Sequence, residues 1–135
     1  MKIILDTNIW ISFLLGKKLA ILSEILKNDE IQIYSSKQLL REIMEVAKRP
    51  KFHNKISIQS IDYLFKLINV KCKYIDDNSP VSISVRDKKD IFILSMAQNV
   101  YPDYIITGDK DLLVIKKYNN TEIITFNEFI KILNL

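Results

Sequence analysis

The stretch KIILDTN, residues 2–8, decides the fold of this 135-residue chain. Residues 2–5 form a short, mostly apolar run that predicts a buried strand, and Asp6 ends that run where a helix begins. In open α/β sheets, ligands bind at the carboxyl ends of the strands. Asp6 is therefore a candidate cap for the following helix and also a candidate functional residue.

Four more apolar runs predict strands at residues 31–34, 71–75, 104–107 and 122–125. Amphipathic segments with helical period lie between most of them, at residues 19–26, 36–48, 56–68 and 88–98, and Asn127 is predicted to open a short terminal helix. Residues 76–86 could form a loop or a short edge strand. Strands that alternate with helices predict βαβ units and a parallel sheet covered on both faces.

Length and composition predict one folded domain that spans residues 1–135. Hydrophobic residues make up 48% of the chain, which argues against disorder. Cys72 is the only cysteine, so no intramolecular disulfide can form, as is typical of a reducing cytoplasm. The apolar run at residues 9–15 is far shorter than the roughly 20 residues that cross a bilayer. We therefore expect a soluble cytoplasmic protein with no membrane partner.

The net charge of +4 modestly favours a polyanionic partner, although a lysine-rich solvated surface would give the same balance. Two clusters tip the interpretation towards nucleic acid. The first contains Lys48, Arg49, Lys51 and Lys55, and the second contains Arg86, Lys88 and Lys89. Either cluster could hold a phosphate backbone without reading its sequence.

Three further acids lie where a site could form. Asp109 follows the strand predicted at residues 104–107, Asp90 lies in the first turn of a predicted helix, and Glu42 borders the apolar stripe of another. Each acid has an ordinary interpretation as a helix cap or a surface charge. Carboxylates that cluster repel one another and are best stabilised by a hard divalent cation. The four acids together favour a metal-dependent reaction at phosphate.

Several neighbours of these acids leave alternatives open. Asp87 has the spacing of an N-cap for the helix that carries Asp90, and Glu45 could replace or assist Glu42. Asp111 could cap a helix that begins near Leu112. Asn8 could cap the first helix or hold Asp6, and Thr107 offers a hydroxyl to a phosphate or to a neighbouring carboxylate.

Four segments resemble PIN domains in both order and spacing: LDTNIW, SSKQLLREIMEVAKRPKF, VRDKKDIFILSMA and DYIITGDKDLL. The resemblance is strongest to the branch of toxins from toxin–antitoxin systems. It implies a three-layer α/β/α fold with a central, mostly parallel sheet of about five strands. It also implies cleavage of single-stranded RNA with Mg²⁺ or Mn²⁺, one or two ions per site. Such toxins commonly form homodimers and bury a helix of a small antitoxin protein in a groove.

The resemblance assigns roles position by position. Asp6, Asp90 and Asp109 match metal ligands, and Glu42 matches the acid that completes the pocket or orients the attacking water. Family members often carry a second acid directly after the position of Asp90, where this chain has Ile91, so Asp87 is the other candidate ligand. The residues expected to support these ligands are Thr7, Asn8, Thr107 and Asp111.

Two other functions fit parts of the sequence. Asp6 could be the nucleophile of a phosphatase, although Asn8 breaks the DxDxT signature of that class. A PIN-like module could instead bind RNA or a protein without cleaving it. The chain has one histidine, His53, and one cysteine, which excludes a ribonuclease mechanism with a histidine pair and most zinc hydrolases.

Overall fold

The computed structural model describes residues 1–75 and 90–135 of the chain. The strands are β1 (Lys2–Leu5), β2 (Gln32–Ser35), β3 (Cys72–Tyr74), β4 (Tyr104–Ile106), β5 (Lys117–Tyr118) and β6 (Thr121–Ile124). The helices are α1 (Thr7–Leu14), α2 (Leu19–Lys27), α3 (Lys37–Ala47), α4 (Ile58–Lys71), α5 (Ile91–Val100), α6 (Lys110–Leu113) and α7 (Phe126–Ile132), with a 3₁₀ turn at Pro50–Phe52. Within these ranges, no helix is both long and apolar enough to cross a membrane.

The strands form one sheet in the order β3-β2-β1-β4-β6-β5. All neighbouring pairs are parallel except β5 and β6, which are antiparallel. The predicted α/β fold with a mostly parallel sheet is therefore confirmed, with six strands in the described residues instead of five. The additional strand, β5, is only two residues long and follows Lys116, which has positive φ. It is too short to give a periodic signal in the sequence.

The core lies on both faces of the sheet. Ile3, Ile4 and Leu5 of β1 are all fully buried. Because successive side chains of a strand point to opposite faces, three buried neighbours require helices on both sides. This is the three-layer arrangement that the resemblance implied, and it places β1 at the centre of the molecule.

The topology singles out the gap between β1 and β4. From β1 the chain moves outwards to β2 and β3, and it then returns to β4 on the other side of β1. Sheets of this kind bind ligands at such a reversal, outside the carboxyl ends of the two strands. Leu5 pairs with Ile106 at this end, and the Asp6 amide extends the ladder to the Ile106 carbonyl at 3.0 Å. Asp6 and Thr107 therefore lie next to each other, directly after the ends of β1 and β4.

Several helix starts differ from the prediction. Thr125, not Asn127, caps α7 through a capping box, in which the Thr125 hydroxyl accepts from the Glu128 amide and the Glu128 carboxylate accepts from the Thr125 amide. The prediction of Asn127 was wrong because the capping residue directly follows the strand and continues its apolar run. Asp109, not Asp111, caps α6. The segment predicted as loop or edge strand, residues 76–86, lies outside the described residues.

Candidate active site

Asp6 joins the ends of the two central strands. It is the N-cap of α1, where its Oδ1 accepts a hydrogen bond from the Thr7 amide at 2.8 Å. Its Oδ2 accepts from the Thr107 hydroxyl at 2.7 Å, directly after β4. The side chain is only 6% exposed. Asp6 therefore has the capping role and also holds a buried carboxylate at the reversal point of the sheet.

The position of Asp6 disfavours its negative charge. Burial raises the pKa of the Asp6 carboxyl above its ordinary value of 3.8, while the hydrogen bonds from Thr107 and Thr7 act in the opposite direction. The charge of Asp109 raises the Asp6 pKa further. A cation bound here would offset both the burial and the repulsion.

Asp109 is connected to Asp6 through Thr107. The Asp109 amide donates to the Thr107 hydroxyl oxygen at 3.0 Å, and that hydroxyl in turn donates to Asp6. As the N-cap of α6, Asp109 also accepts from the Asp111 amide at 2.9 Å. Thr107 is fully buried, so its single hydroxyl fixes the relative positions of two acids.

Glu42 reaches the same place from α3. Its Oε2 accepts a hydrogen bond from the Thr7 hydroxyl at 2.8 Å, and its side chain is half-buried. Glu45, the alternative acid on this helix, is exposed. Hydrogen bonds therefore connect six residues in the order Glu42, Thr7, Asp6, Thr107, Asp109 and Asp111. Thr7 takes part through both its hydroxyl and its amide, and Asp111 takes part through its backbone amide.

Asp90 stands next to the far end of this chain of hydrogen bonds. It is 5% exposed at the N-cap position of α5. Asp90, Asp109 and Asp111 each offer a carboxylate oxygen within 4.8 Å of the other two. Three carboxylates with no nitrogen or sulfur donor fit a hard divalent cation such as Mg²⁺ or Mn²⁺. Asp111, which the sequence suggested as a supporting residue, belongs to this group, whereas Asp6 adjoins it through Asp109. Asp87 lies outside the described residues.

Two further polar residues, Asn8 and Cys72, do not take part in the hydrogen bonds described above. Asn8 is an exposed residue in the first turn of α1, and Asp6 rather than Asn8 caps the helix. Cys72 is buried at the start of β3, and burial raises the pKa of its thiol to about 12. The Cys72 thiol is therefore protonated at neutral pH and is a poor nucleophile.

The described basic cluster lies at the far end of α3. Lys48 is the C-cap of this helix, Arg49 follows it, and the Lys51 ammonium lies 5.0 Å from the centre of the Phe52 ring. All three cations are exposed. At 1.5 Å per residue, Lys48 is about 9 Å beyond Glu42 along the helix axis. Arg86, Lys88 and Lys89, the other predicted cluster, lie outside the described residues.

Two cations that did not stand out in the sequence lie on the same helix as Glu42. Lys37 and Arg41 are exposed on the first half of α3, which begins at the carboxyl edge of the sheet. They are four residues apart, so they share one face of the helix. Lys37 and Arg41 are not adjacent in the sequence, so they do not form a visible cluster. Plotting residues 36–48 on a helical wheel would have shown that the two cations share a face.

The chain resembles known proteins both in sequence and in fold. The sequence model of the PIN domain family matches residues 2–111. VapBC2 from Rickettsia felis, solved bound to a DNA fragment from its promoter, has a TM-score of 0.60 at 17% identity, over 93% of this chain and 99% of that chain. The PIN domain of T. brucei RRP44 has a TM-score of 0.60 at 14% identity, over 98% of this chain and 80% of that chain. No curated protein matches the sequence.

Proposed function

Since the chain belongs to the PIN domain family, we propose that it is a metal-dependent endoribonuclease that cleaves single-stranded RNA and acts as the toxin of a toxin–antitoxin pair. The observation that carries this proposal is the connected set of acids at the carboxyl edge of the sheet. Asp6, Glu42 and Asp109 come from three different parts of the chain and are joined by hydrogen bonds through two threonines. Asp90 joins them beside Asp109.

Each acid has a distinct task in the proposed reaction. Asp90 and Asp109, with Asp6 or Asp111, would hold one or two Mg²⁺ or Mn²⁺ ions. When bound, such an ion stabilises charge on the phosphoryl oxygens and makes a bound water more acidic. Asp6 is kept in place by donors on both oxygens, and Glu42 would orient the attacking water from the side of α3.

The experiment that tests the proposal is cleavage of a fluorescent single-stranded RNA by the purified chain, with Mn²⁺ or Mg²⁺ and with a chelator. We expect turnover that depends on the added metal and stops when the metal is removed. Turnover that persists in chelator would contradict the metal requirement. Binding of RNA without turnover would indicate a binding module, and phosphate covalently attached to Asp6 would indicate a phosphatase.

We propose that exposed cations guide the RNA backbone to the acids. Phosphate contacts of this kind position a nucleic acid without reading its bases. Lys37 and Arg41 lie on the first half of the helix that carries Glu42, and the second group, formed by Lys48, Arg49 and Lys51, lies beyond its end. We add Arg86, Lys88 and Lys89 on the basis of the sequence alone. Lys37 and Arg41 lie on the half of α3 that begins at the carboxyl edge of the sheet, and for this reason we propose that they contact phosphates nearer the cleaved bond than the second group does.

The two described groups can be separated by reversing their charges. In K37E/R41E we expect RNA affinity to fall and the slope of log K against log salt to decrease by about 0.7 for each phosphate that the variant no longer neutralises. The variant K48E/R49E/K51E should show a smaller loss of affinity at the same salt. Binding titrations with labelled RNA at several salt concentrations measure both. Equal affinity of wild type and K37E/R41E would mean that the RNA approaches from another side.

We propose that the antitoxin covers an apolar groove between α4 and the α1–α2 connection. The groove has a volume of about 520 Å³, and Leu14, Leu19, Tyr63 and Leu67 contribute to its lining. Tyr63 is 66% exposed and Leu19 is 53% exposed, and both lie in the same groove, so they form part of a contiguous apolar surface of the kind that marks an interaction site. An amphipathic helix is the natural occupant of such a groove. On the resemblance alone, we also propose a homodimer.

A charge in this groove should weaken the antitoxin complex. We expect Tyr63→Glu to lower affinity for the product of an adjacent small gene at least about tenfold, because it places a charge in an apolar contact. RNA cleavage by the free chain should not change. Tyr101→Glu is the matched control, since Tyr101 is also 66% exposed but does not line the groove. If both variants bind the partner equally well, the groove is not its site.

A further inference from the structure

Thr7 is the residue through which two acids from separate elements are held together. It is the first residue of α1 and only 4% exposed. Its amide donates to Asp6 Oδ1 at 2.8 Å, and its hydroxyl donates to Glu42 Oε2 at 2.8 Å. Asp6 and Glu42 therefore share a single donor residue, although Glu42 is 35 residues from Thr7 along the chain and Asp6 is adjacent to it.

The two donors of Thr7 have different chemical origins. The amide at the start of a helix has no partner within the helix, so it is available to the capping carboxylate of Asp6 whatever the side chain at this position. The bond to Glu42 depends on the hydroxyl alone. A change that removes only the hydroxyl should therefore remove this hydrogen bond to Glu42 and leave the cap of α1 intact.

Glu42 needs such a restraint more than the aspartates do. A glutamate side chain has three rotatable bonds, and that of Glu42 is half-buried rather than enclosed. The aspartates that adjoin it are shorter, and Asp6 and Asp109 each occupy a helix N-cap. A charge-assisted hydrogen bond from the buried Thr7 hydroxyl narrows the range of positions that the Glu42 carboxylate can occupy.

We propose that Thr7 is a positioning residue that acts through Glu42: its hydroxyl holds the Glu42 carboxylate at the start of α1, directly after Asp6, so that the acid of α3 joins the metal pocket formed after β1 and β4. This inference rests on the proposed nuclease function for its effect on cleavage. Its effect on metal binding can be measured without any cleavage. Thr7 itself contacts neither the metal nor the RNA in this proposal.

The test compares substitutions that differ in one group. Thr7→Val keeps the branched shape and loses the hydroxyl, whereas Thr7→Ser keeps the hydroxyl and loses a methyl. We expect T7V to lower kcat for RNA cleavage by about 10- to 100-fold, the range seen when a residue that orients a metal ligand is lost. KM for RNA should change little, since Thr7 does not touch the substrate. T7S should restore most of the activity.

Thr121→Val provides the matched control. The Thr121 hydroxyl is also buried and donates a hydrogen bond, to the Pro102 carbonyl at 2.7 Å, but it lies at the start of β6, at the opposite edge of the sheet. T121V should lose stability to a similar degree as T7V and keep wild-type kcat. Equal kcat values for T7V and T121V would overturn the proposal, because the effect of T7V would then be one of stability only.

A double-mutant cycle with Glu42→Ala shows whether Thr7 acts through Glu42. Calorimetric titration with Mn²⁺ supplies an affinity for wild type, T7V, E42A and T7V/E42A, whether or not any of them cleaves RNA. We expect T7V to weaken Mn²⁺ binding about tenfold in the wild-type background and not at all in E42A. Additive losses, or no loss in T7V, would overturn the role of Thr7. If the wild type does not cleave RNA, the proposed nuclease function is wrong. The Mn²⁺ affinities of the four proteins would still show whether Thr7 acts through Glu42.

Discussion

Replacing Asp6 with asparagine is expected to lower metal-dependent RNA cleavage by about a hundred- to a thousandfold. Asparagine has almost the same shape, so the change removes a charge and leaves the volume of the buried position filled. Asp6 is 6% exposed, and it accepts hydrogen bonds on both oxygens, so it is well fixed in place. Asp6 would act by helping to hold the cation that stabilises negative charge on the phosphoryl oxygens. Loss of one such stabilising group typically costs about a hundred- to a thousandfold in kcat.

The D6N variant should nevertheless fold. The asparagine carbonyl oxygen can still accept from the Thr7 amide, which keeps the cap of α1. Only the bond from the Thr107 hydroxyl must rearrange, because the amide nitrogen of asparagine does not accept hydrogen bonds. The loss of activity can therefore be attributed to the charge and not to a damaged fold, and circular dichroism of the variant checks this.

Asp62→Asn is the matched control for D6N. Asp62 is exposed on α4, away from the connected acids, and the same chemical change there should leave cleavage within about twofold of wild type. Cleavage rates measured with saturating Mn²⁺ compare the three proteins. If D6N cleaves RNA as fast as D62N does, Asp6 is a structural cap and the active site lies elsewhere.

The sequence predicted the central strand well, for a local reason. The apolar run at residues 2–5 is bounded by Asp6, and the structure has β1 at the same residues. β5 could not be predicted, because two residues contain no periodicity. The start of α7 was missed because Thr125 serves as a cap while it also continues an apolar run, so a pattern of hydrophobicity assigns it to the strand.

The contacts between the acids depend on information that is not local. Asp6 lies beside Thr107 only because β1 pairs with β4. Neither segment by itself contains the information that determines this strand order. Thr7 was recognised as a supporting residue because it follows Asp6, yet its bond to Glu42 needs α3 to pack against α1. Residue types and spacing thus indicated which acids to consider, and the topology determined how they are connected.

The stability of the metal-free protein should depend on pH in a way that is unusual for a carboxylate. Burial raises the pKa of Asp6 in the folded state above the ordinary value of 3.8 that applies when the chain is unfolded. As the pH rises above that value, the unfolded state loses its proton first. The folded state must later carry a buried charge, so the contribution of Asp6 to stability is present at low pH and is lost as the pH rises through the raised pKa.

D6N isolates this effect from the other acids. In chelator, we expect the melting temperature of D6N to match that of wild type near the ordinary aspartate pKa of 3.8 and to exceed it as the pH rises through the raised pKa, because the variant has no charge to bury at this position. D62N should follow wild type at every pH, since Asp62 is exposed. If the difference in melting temperature between wild type and D6N stays constant with pH, the Asp6 charge does not destabilise the metal-free protein.

Added Mn²⁺ should reverse the order of stability. A cation held by Asp90 and Asp109 beside Asp6 offsets the burial and the repulsion that raise the Asp6 pKa, and it binds only the folded state. At a hundred times the dissociation constant, the gain is about 2.7 kcal/mol, or on the order of 10 °C for a chain of this size. The gain should be several-fold smaller in D6N, and equal gains in both proteins would mean that Mn²⁺ binds without Asp6. The carboxyl group whose burial makes the metal-free protein less stable as the pH rises would then be one that binds the metal.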